Sequence, residues 1–229
     1  MTGGPAISVI MPTYQRARFV TAAIASVVGQ SLADWQLIVV DDGSTDGTDA
    51  AIAPLLADRR IRYLQEPHRG QSEARNRGLA EAVAEKIAFL DSDNLFYPTF
   101  LAAAVAALDR TPDAAAVYGV LVSRDHGMAE SGLLMRPFDP LMLQAGNFID
   151  LNTIVCRRDA LLDAGGFDQS LAKLEDWDLL LRLARFGPLR AIPNLAAYYR
   201  ILDSQRVSDT VPELPALEAV RKKHGLTVR

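Results

Sequence analysis

The chain has 229 residues, 49% of them hydrophobic and 23% charged, with a formal net charge of −4. A chain of that length and balance is globular and can bury a sizeable core, as one domain or one domain with an extension; its acidity, with a pI of about 5.4, argues against nucleic acid as the main partner. One cysteine, Cys156, excludes an internal disulfide and fits a reducing compartment.

The chain opens on Met1-Thr2-Gly3-Gly4-Pro5, which has neither the basic segment nor the apolar run of a secretory leader. Residues 7–11 are β-branched and closed by Pro12, the pattern of a buried strand. Residues 19–30 set Val20, Ala23, Ile24, Val27 and Val28 on one helical face. A second strand over 37–40 ends in Asp41-Asp42-Gly43-Ser44, and Thr45-Asp46-Gly47-Thr48 offers caps for a helix over 50–56. A third strand over 61–64, a helix over 72–84 and a fourth strand over 86–90 complete an alternation that predicts an α/β fold with a doubly wound, mostly parallel sheet. The stretch 100–108 is the longest apolar run, too short to span a bilayer, so a soluble cytoplasmic protein is expected.

The second half is less regular. It reads as a strand over 114–122, a loop-rich stretch over 123–145, a strand over 148–157 and a short helix over 159–164 stopped by Gly165-Gly166. An amphipathic helix over 176–186 and a last strand over 189–192 follow. Cys156 sits in the apolar run Asn152-Thr153-Ile154-Val155-Cys156 and is expected in the core. The tail, 211–229, is interrupted by proline and carries Arg221-Lys222-Lys223, a solvated helix end or a membrane-surface contact.

Ligands of a doubly wound sheet gather at the carboxyl ends of its strands. Three polar clusters fall there: Pro12-Thr13-Tyr14 after the first strand, Asp41-Asp42 after the second and Asp91-Ser92-Asp93 after the fourth. Two carboxylates at i, i+2 suit a hard cation that shares oxygen ligands with substrate phosphates. Alone, the same residues make an ordinary turn; three clusters in register favour a site.

Six motifs in this order carry a resemblance. They are Ser8-Val9-Ile10-Met11-Pro12-Thr13-Tyr14, Val39-Val40-Asp41-Asp42-Gly43-Ser44-Thr45-Asp46, Gly70-Gln71-Ser72-Glu73-Ala74-Arg75-Asn76-Arg77-Gly78, Phe89-Leu90-Asp91-Ser92-Asp93, Gly165-Gly166-Phe167-Asp168 and Glu175-Asp176-Trp177-Asp178. From about residue 7 to 199 the chain resembles a family-2 glycosyltransferase of the GT-A fold. The resemblance implies sugar transfer, with inversion, from a nucleoside diphosphate sugar, UDP-linked by family frequency, to a carbohydrate or lipid-linked acceptor. It divides the chain into a nucleotide-sugar-binding half (1–112), an acceptor half of the same domain (113–210) and a tail (211–229).

Carried onto this sequence, the resemblance assigns the donor site to Pro12, Thr13, Tyr14, Arg16, Asp42, Arg75, Asp91 and Ser92. Tyr14 would stack on the base, Thr13 would hydrogen-bond it and Asp42 would accept its N–H; a capping role is the alternative for Asp42. Arg75 would meet base or diphosphate, or else make an exposed helix ion pair. Asp91 would hold the ribose and Asp93 would ligate Mn²⁺ or Mg²⁺. Asp176 matches the catalytic base, with Glu175 second, orienting the acceptor. Asp178 is a helix N-terminal carboxylate, and Trp177 is either a sugar platform or core. The His that many relatives carry after the pair Tyr199-Arg200 is missing; either Asp203, Gln205 or Arg206 substitutes for it, or that loop works differently. His68, His126 and His224 lie in polar contexts and read as surface residues.

Other readings fit less well. A sugar nucleotidyltransferase needs a Gly-rich, Arg-bearing loop after the first strand, and a dinucleotide dehydrogenase needs G-x-G-x-x-G there. A receiver-like signalling module would be about half this length. A catalytically inactive nucleotide-sugar-binding protein of the same fold is the remaining alternative.

Overall fold

The computed structural model describes residues 4–124, 131–200 and 213–226. Strands β1 (Ile7–Thr13) and β2 (Trp35–Asp41) pair in parallel over seven residues, from Ile7 beside Trp35 to Thr13 beside Asp41. Strand β3 (Ile61–Gln65) adds in parallel to β2, and β4 (Lys86–Phe89) adds in parallel to the other side of β1. Parallel neighbours need crossovers, supplied by helices α1 (Val20–Val28), α2 (Thr48–Ile52) and α3 (Gln71–Glu81). With both faces covered, β1 is mostly apolar and is buried along its whole length, Ser8 and Thr13 included.

Next come β5 (Leu95–Phe96), α4 (Phe100–Arg110), β6 (Ala116–Arg124), β7 (Ser131–Leu134), α5 (Pro140–Ala145), β8 (Ile154–Arg157), α6 (Arg158–Asp163), α7 (Glu175–Leu183), β9 (Leu189–Arg200) and α8 (Glu213–His224). Among the described residues, nine strands form one sheet in the order β3-β2-β1-β4-β8-β6-β9-β5, with β7 on β6. The β3-β2-β1-β4 end is wholly parallel, β8 is antiparallel to both β4 and β6, and β6 pairs with β9 in parallel. The α/β class and the mostly parallel sheet are as expected.

The helix expected over 72–84 ends at Glu81, the one over 50–56 is Thr48–Ile52 followed by a 3₁₀ turn, and the stretch read as loop-rich over 123–145 holds β7 and α5. Three further differences have a local reason. The strand expected over 148–157 begins with a 3₁₀ turn, Leu151–Thr153, because the Asp150 side chain takes the Asn152 N–H at 2.8 Å. The last strand runs on to Arg200 through Pro193, which lies in the irregularity between the pairs Tyr118–Ala191 and Val120–Leu195, where no ladder bond is lost. The tail forms α8 because Pro215 falls in its first turn, where a missing N–H costs nothing.

Alternation along the strands fills two apolar layers, one with Val9, Val39, Val117 and Val155, the other with Ile10, Ile38, Phe89, Tyr118 and Cys156. Each layer draws on both ends of the sheet. Cys156 is buried as expected, and burial pushes its thiol pKa up. Helix α3 lies close on β1: a Cβ at Gly78 would stand 2.5 Å from Ile10 Cγ2. That contact sets Arg75 and Asn76, one turn earlier, over the strand ends. Among the described residues, no helix is long and apolar enough to cross a membrane.

Candidate functional site

The parallel register joins the ends of β1 and β2, where Asp42 N–H donates to the Thr13 carbonyl at 2.9 Å. Asp41, wholly buried, accepts from the Ser44 N–H at 2.8 Å and the Tyr63 hydroxyl at 2.5 Å. Asp42 accepts from the backbone N–H groups of Arg69 at 2.6 Å and Gly70 at 2.8 Å, fixing the turn that enters α3. His68 Nδ1 also reaches Asp42 Oδ2 at 2.8 Å, and its ring stacks on Tyr14 with centroids 4.0 Å apart and planes 18° apart. Pro12 and Thr13 are buried, and Thr13 Oγ1 has no hydrogen-bond partner among the described residues.

At the end of β4, Asp91 is held from two sides. Its Oδ1 accepts from Arg75 Nη2 at 2.8 Å; Asn152 accepts the Asp91 N–H at 2.7 Å and donates to Oδ2 at 3.2 Å. Ser92 is buried beside it, and Asp93 Oδ2 lies 3.2 Å from Arg16 Nε. Arg200, at the end of β9, donates through Nε to the Asp93 carbonyl and from its N–H to Asn94 at 3.1 Å. Asp203, Gln205 and Arg206, which follow, lie outside the described residues, as does His126.

Arg75 is buried and spans the site. Nη2 meets Asp91, and Nη1 meets Glu175 Oε1 at 2.7 Å, an oxygen that also accepts from Gln71 Nε2 at 2.7 Å. Burial opposes its charge, but Asp91 and Glu175 outweigh burial and raise its pKa. Arg75 is thus a buried ion-pair centre, not the exposed helix ion pair of the alternative reading. Its neighbour Asn76 clips Phe167 through both backbone groups, N–H to Oδ1 and Nδ2 to carbonyl, at 2.8 Å each. The motif around Arg75 therefore fastens the later half of the chain to the strand ends.

Helix α7 starts abruptly. Leu174 adopts a left-handed φ of 62°, a conformation that costs a non-glycine residue about 1–3 kcal/mol. Beyond it Glu175 meets Arg75, while Asp176 lines a cavity of about 750 Å³. Asp176 Oδ1 accepts the Trp177 N–H at 2.7 Å and Oδ2 accepts from Asn147 Nδ2 at 2.9 Å. Burial, followed by the Glu175 charge, pushes the Asp176 pKa up to about 7. Asp150, on the same cavity, is also raised, chiefly by burial. The floor is polar, with Asn147, Asp150 and Thr153; Leu133, Met135 and Met142 make an apolar wall. Leu133 and Leu134 of β7 and Leu141 of α5 are exposed beside it.

Four assignments are refined or overturned. Trp177 is core, 1% exposed, with Nε1 donating to the Leu143 carbonyl at 2.7 Å. Asp178 is wholly buried and receives Arg182 Nη2 at 2.6 Å, Lys223 Nζ at 2.8 Å and His224 Nε2 at 2.8 Å; burial alone would raise its pKa, but these partners lower it. His224 is consequently not a surface residue, because its ring pins α8 to α7. His68 has an exposed edge yet belongs to the Tyr14–Asp42 cluster. Asn147, Asp150 and Asn152 were not singled out as site residues; no spacing marks them, and the signal available was Asp150-Leu151-Asn152, an Asx pattern opening a strand.

The donor set fits a divalent cation of one kind. Among the described residues no three His, Cys, Asp or Glu side chains gather to hold a metal. Asp93 offers a single carboxylate at a strand end, from which the Arg16 guanidinium at 3.2 Å has to give way; one such ligand is enough for an ion whose other ligands are phosphate oxygens and water, the habit of Mg²⁺ in nucleotide sites.

The family model described as glycosyl transferase family 2 matches residues 8–154. The putative glycosyltransferase EpsE of Bacillus subtilis is 32% identical over 194 residues, covering 82% of this chain and 69% of that protein. Among solved structures, S. aureus TarS 1–349 with UDP-GlcNAc superposes with a TM-score of 0.80 at 20% identity, covering 95% of this chain and 64% of that one. The mannosyltransferase PcManGT of Pyrobaculum calidifontis, with GDP-Man and Mn²⁺, gives 0.75 at 20% identity, over 100% and 66%. Two uncharacterized glycosyltransferases of Rickettsia conorii and Rickettsia felis, 43% and 42% identical, match over 91 residues, 40% of this chain and 15% of their own length, so the chain spans only a small part of those relatives. With the motifs at the ends of β1, β2 and β4 and this shared architecture, the chain belongs to glycosyl transferase family 2 and has the GT-A fold.

Proposed function

We propose that the chain transfers a glycosyl group, with inversion, from a nucleoside diphosphate sugar, UDP-linked, to an acceptor hydroxyl, and that Asp176 is the general base. The observation that carries this reading is the Asp176 carboxylate, raised to about 7, on a cavity joined through Glu175 and Arg75 to the strand-end carboxylate Asp91. A base poised near neutrality takes a hydroxyl proton at working pH. As the acceptor O–H gives its proton to Asp176, its oxygen forms a bond to the anomeric carbon, and the bond from that carbon to the diphosphate oxygen breaks on the opposite face.

Tyr14, Thr13 and Asp42 hold the base, Pro12 and Arg16 line it, and Asp91 with Ser92 holds the ribose. Arg75 keeps Asp91 and Glu175 in place. Asp93 is the residue that would hold Mn²⁺ or Mg²⁺ with the diphosphate, where the ion's chemistry is to neutralise charge on the departing oxygen. The Mn²⁺ in the PcManGT structure supports a divalent ion here. The acceptor presents its hydroxyl at the polar floor. The apolar wall and the exposed Leu133, Leu134 and Leu141 support a lipid-linked saccharide over a plain one.

Asp176→Asn keeps shape and hydrogen bonding but cannot accept the proton. Turnover in transfer, or in donor hydrolysis, should fall about 10²–10⁴-fold with donor affinity retained. Near wild-type turnover would remove Asp176 as base. Tight nucleotide-sugar binding with no transfer by the wild-type protein would favour the inactive binding protein instead.

A further inference from the structure

We propose that His68 is a resident occupant of the nucleobase subsite, which an incoming base must displace. The inference rests on the reading of Tyr14 and Asp42 as base contacts. Those residues are expected to offer a nucleobase two things, a ring face to stack on and a carboxylate to accept a ring N–H. His68 takes both: its ring lies 4.0 Å from the Tyr14 ring, 18° from coplanar, and Nδ1 is 2.8 Å from Asp42 Oδ2 and 3.0 Å from the Asp42 carbonyl. A flat five-membered ring with an N–H at its edge is a small copy of a pyrimidine or purine edge.

The surroundings make the exchange inexpensive. Three donors sit on the Asp42 carboxylate, the N–H groups of Arg69 and Gly70 and the imidazole Nδ1. The two backbone donors are fixed by the entry into α3. They are also fixed by Gly43, whose φ of 79° brings its chain so close that a Cβ there would stand 2.9 Å from His68 N. The movable donor is the His68 side chain, 56% exposed, which can swing into water and recover its hydrogen bonds there. A base then replaces ring by ring and N–H by N–H, and Asp42 never lacks its third donor.

A subsite filled by its own chain binds ligand in proportion to the fraction of time it stands open. Removing the occupant therefore tightens binding, and does so through the association rate. From a panel of UDP, GDP, dTDP, CDP and ADP with Mg²⁺, the tightest wild-type ligand is measured by calorimetry and stopped flow on His68→Ala, His68→Phe, Tyr14→Ala and Asp42→Ala. His68→Ala should bind at least about threefold more tightly, by faster association with dissociation little changed. His68→Phe, which keeps the stack and loses the N–H, should fall between wild type and His68→Ala. Unchanged or weaker binding by His68→Ala, with Tyr14→Ala and Asp42→Ala weakened, would overturn the displacement while leaving the base contacts intact. If neither Tyr14→Ala nor Asp42→Ala weakens binding, or no panel member binds, the base reading itself fails and the displacement with it.

Discussion

The strand-end region and the α7 cavity satisfy their carboxylates in opposite ways. At the ends of β2 and β4, Asp42 is met by backbone N–H groups, Asp91 by Arg75 and Asn152, and Asp93 by Arg16. In the cavity, the hydrogen-bond donors that meet Asp176 and Asp150 among the described residues are neutral, the side-chain amides of Asn147 and Asn152 and backbone N–H groups, and both carboxyls are raised in pKa. The first arrangement suits holding hydroxyls and a cation; the second suits a group that exchanges a proton near neutral pH. Two side chains touch both regions: Arg75 through Asp91 and Glu175, and Asn152 through Asp91 and Asp150.

The largest loss is expected from removing the guanidinium that bridges the two regions. Arg75→Leu leaves Asp91 and Glu175 facing an apolar side chain, and taking one partner from a buried ion pair costs about 3–5 kcal/mol. Urea denaturation should show that loss; a change below about 1 kcal/mol would mean the Arg75 ion pairs do not hold the two regions together. Asp42→Ala comes next. It strips an acceptor from two backbone N–H groups, at about 1–3 kcal/mol when such donors stay unmet, and should weaken nucleotide binding by calorimetry. Equal binding of every nucleoside diphosphate would leave Asp42 as a turn residue.

The pH dependence sharpens the contrast further. Asp176 must be ionised to act as base, so kcat/KM should rise as pH increases through about 7. Glu175→Gln removes the neighbouring negative charge and leaves more of the Arg75 charge uncompensated, so the rise should shift to lower pH; a shift upward or none would rule out Glu175 as a cause. Stability carries the same sign in reverse. The folded pKa of Asp176 lies above its usual 3.8, so folding retains a proton that the unfolded chain releases. Its contribution is fully present below that usual value and is lost as pH rises through about 7. Asp176→Asn should flatten that decline in the chemical-denaturation profile. The smallest expected effect is at Cys156, where burial raises the thiol pKa. The native protein should resist a thiol reagent that labels the denatured chain at once.

Much of the donor side was legible because strands buried on both faces leave an unbroken apolar run and end in polar turns. Ile7 to Met11 and Leu37 to Val40 announce β1 and β2, and the rule that ligands gather at strand ends points to Pro12, Asp42 and Asp91 without coordinates. Composition and periodicity likewise determined that Cys156 is core and that α/β alternation fills the first half.

Partners far apart in the chain meet through the tertiary fold alone. Arg75 with Glu175, His224 with Asp178, and Asn152 with Asp91 are separated by 100, 46 and 61 positions. No local pattern encodes such pairs, because hydrogen bonds and charges act over a few ångströms in space whatever the separation in sequence. The same reason hid His68. A polar loop residue reads as solvated until β1 and β2 lie side by side and carry Tyr14 and Asp42 to its ring.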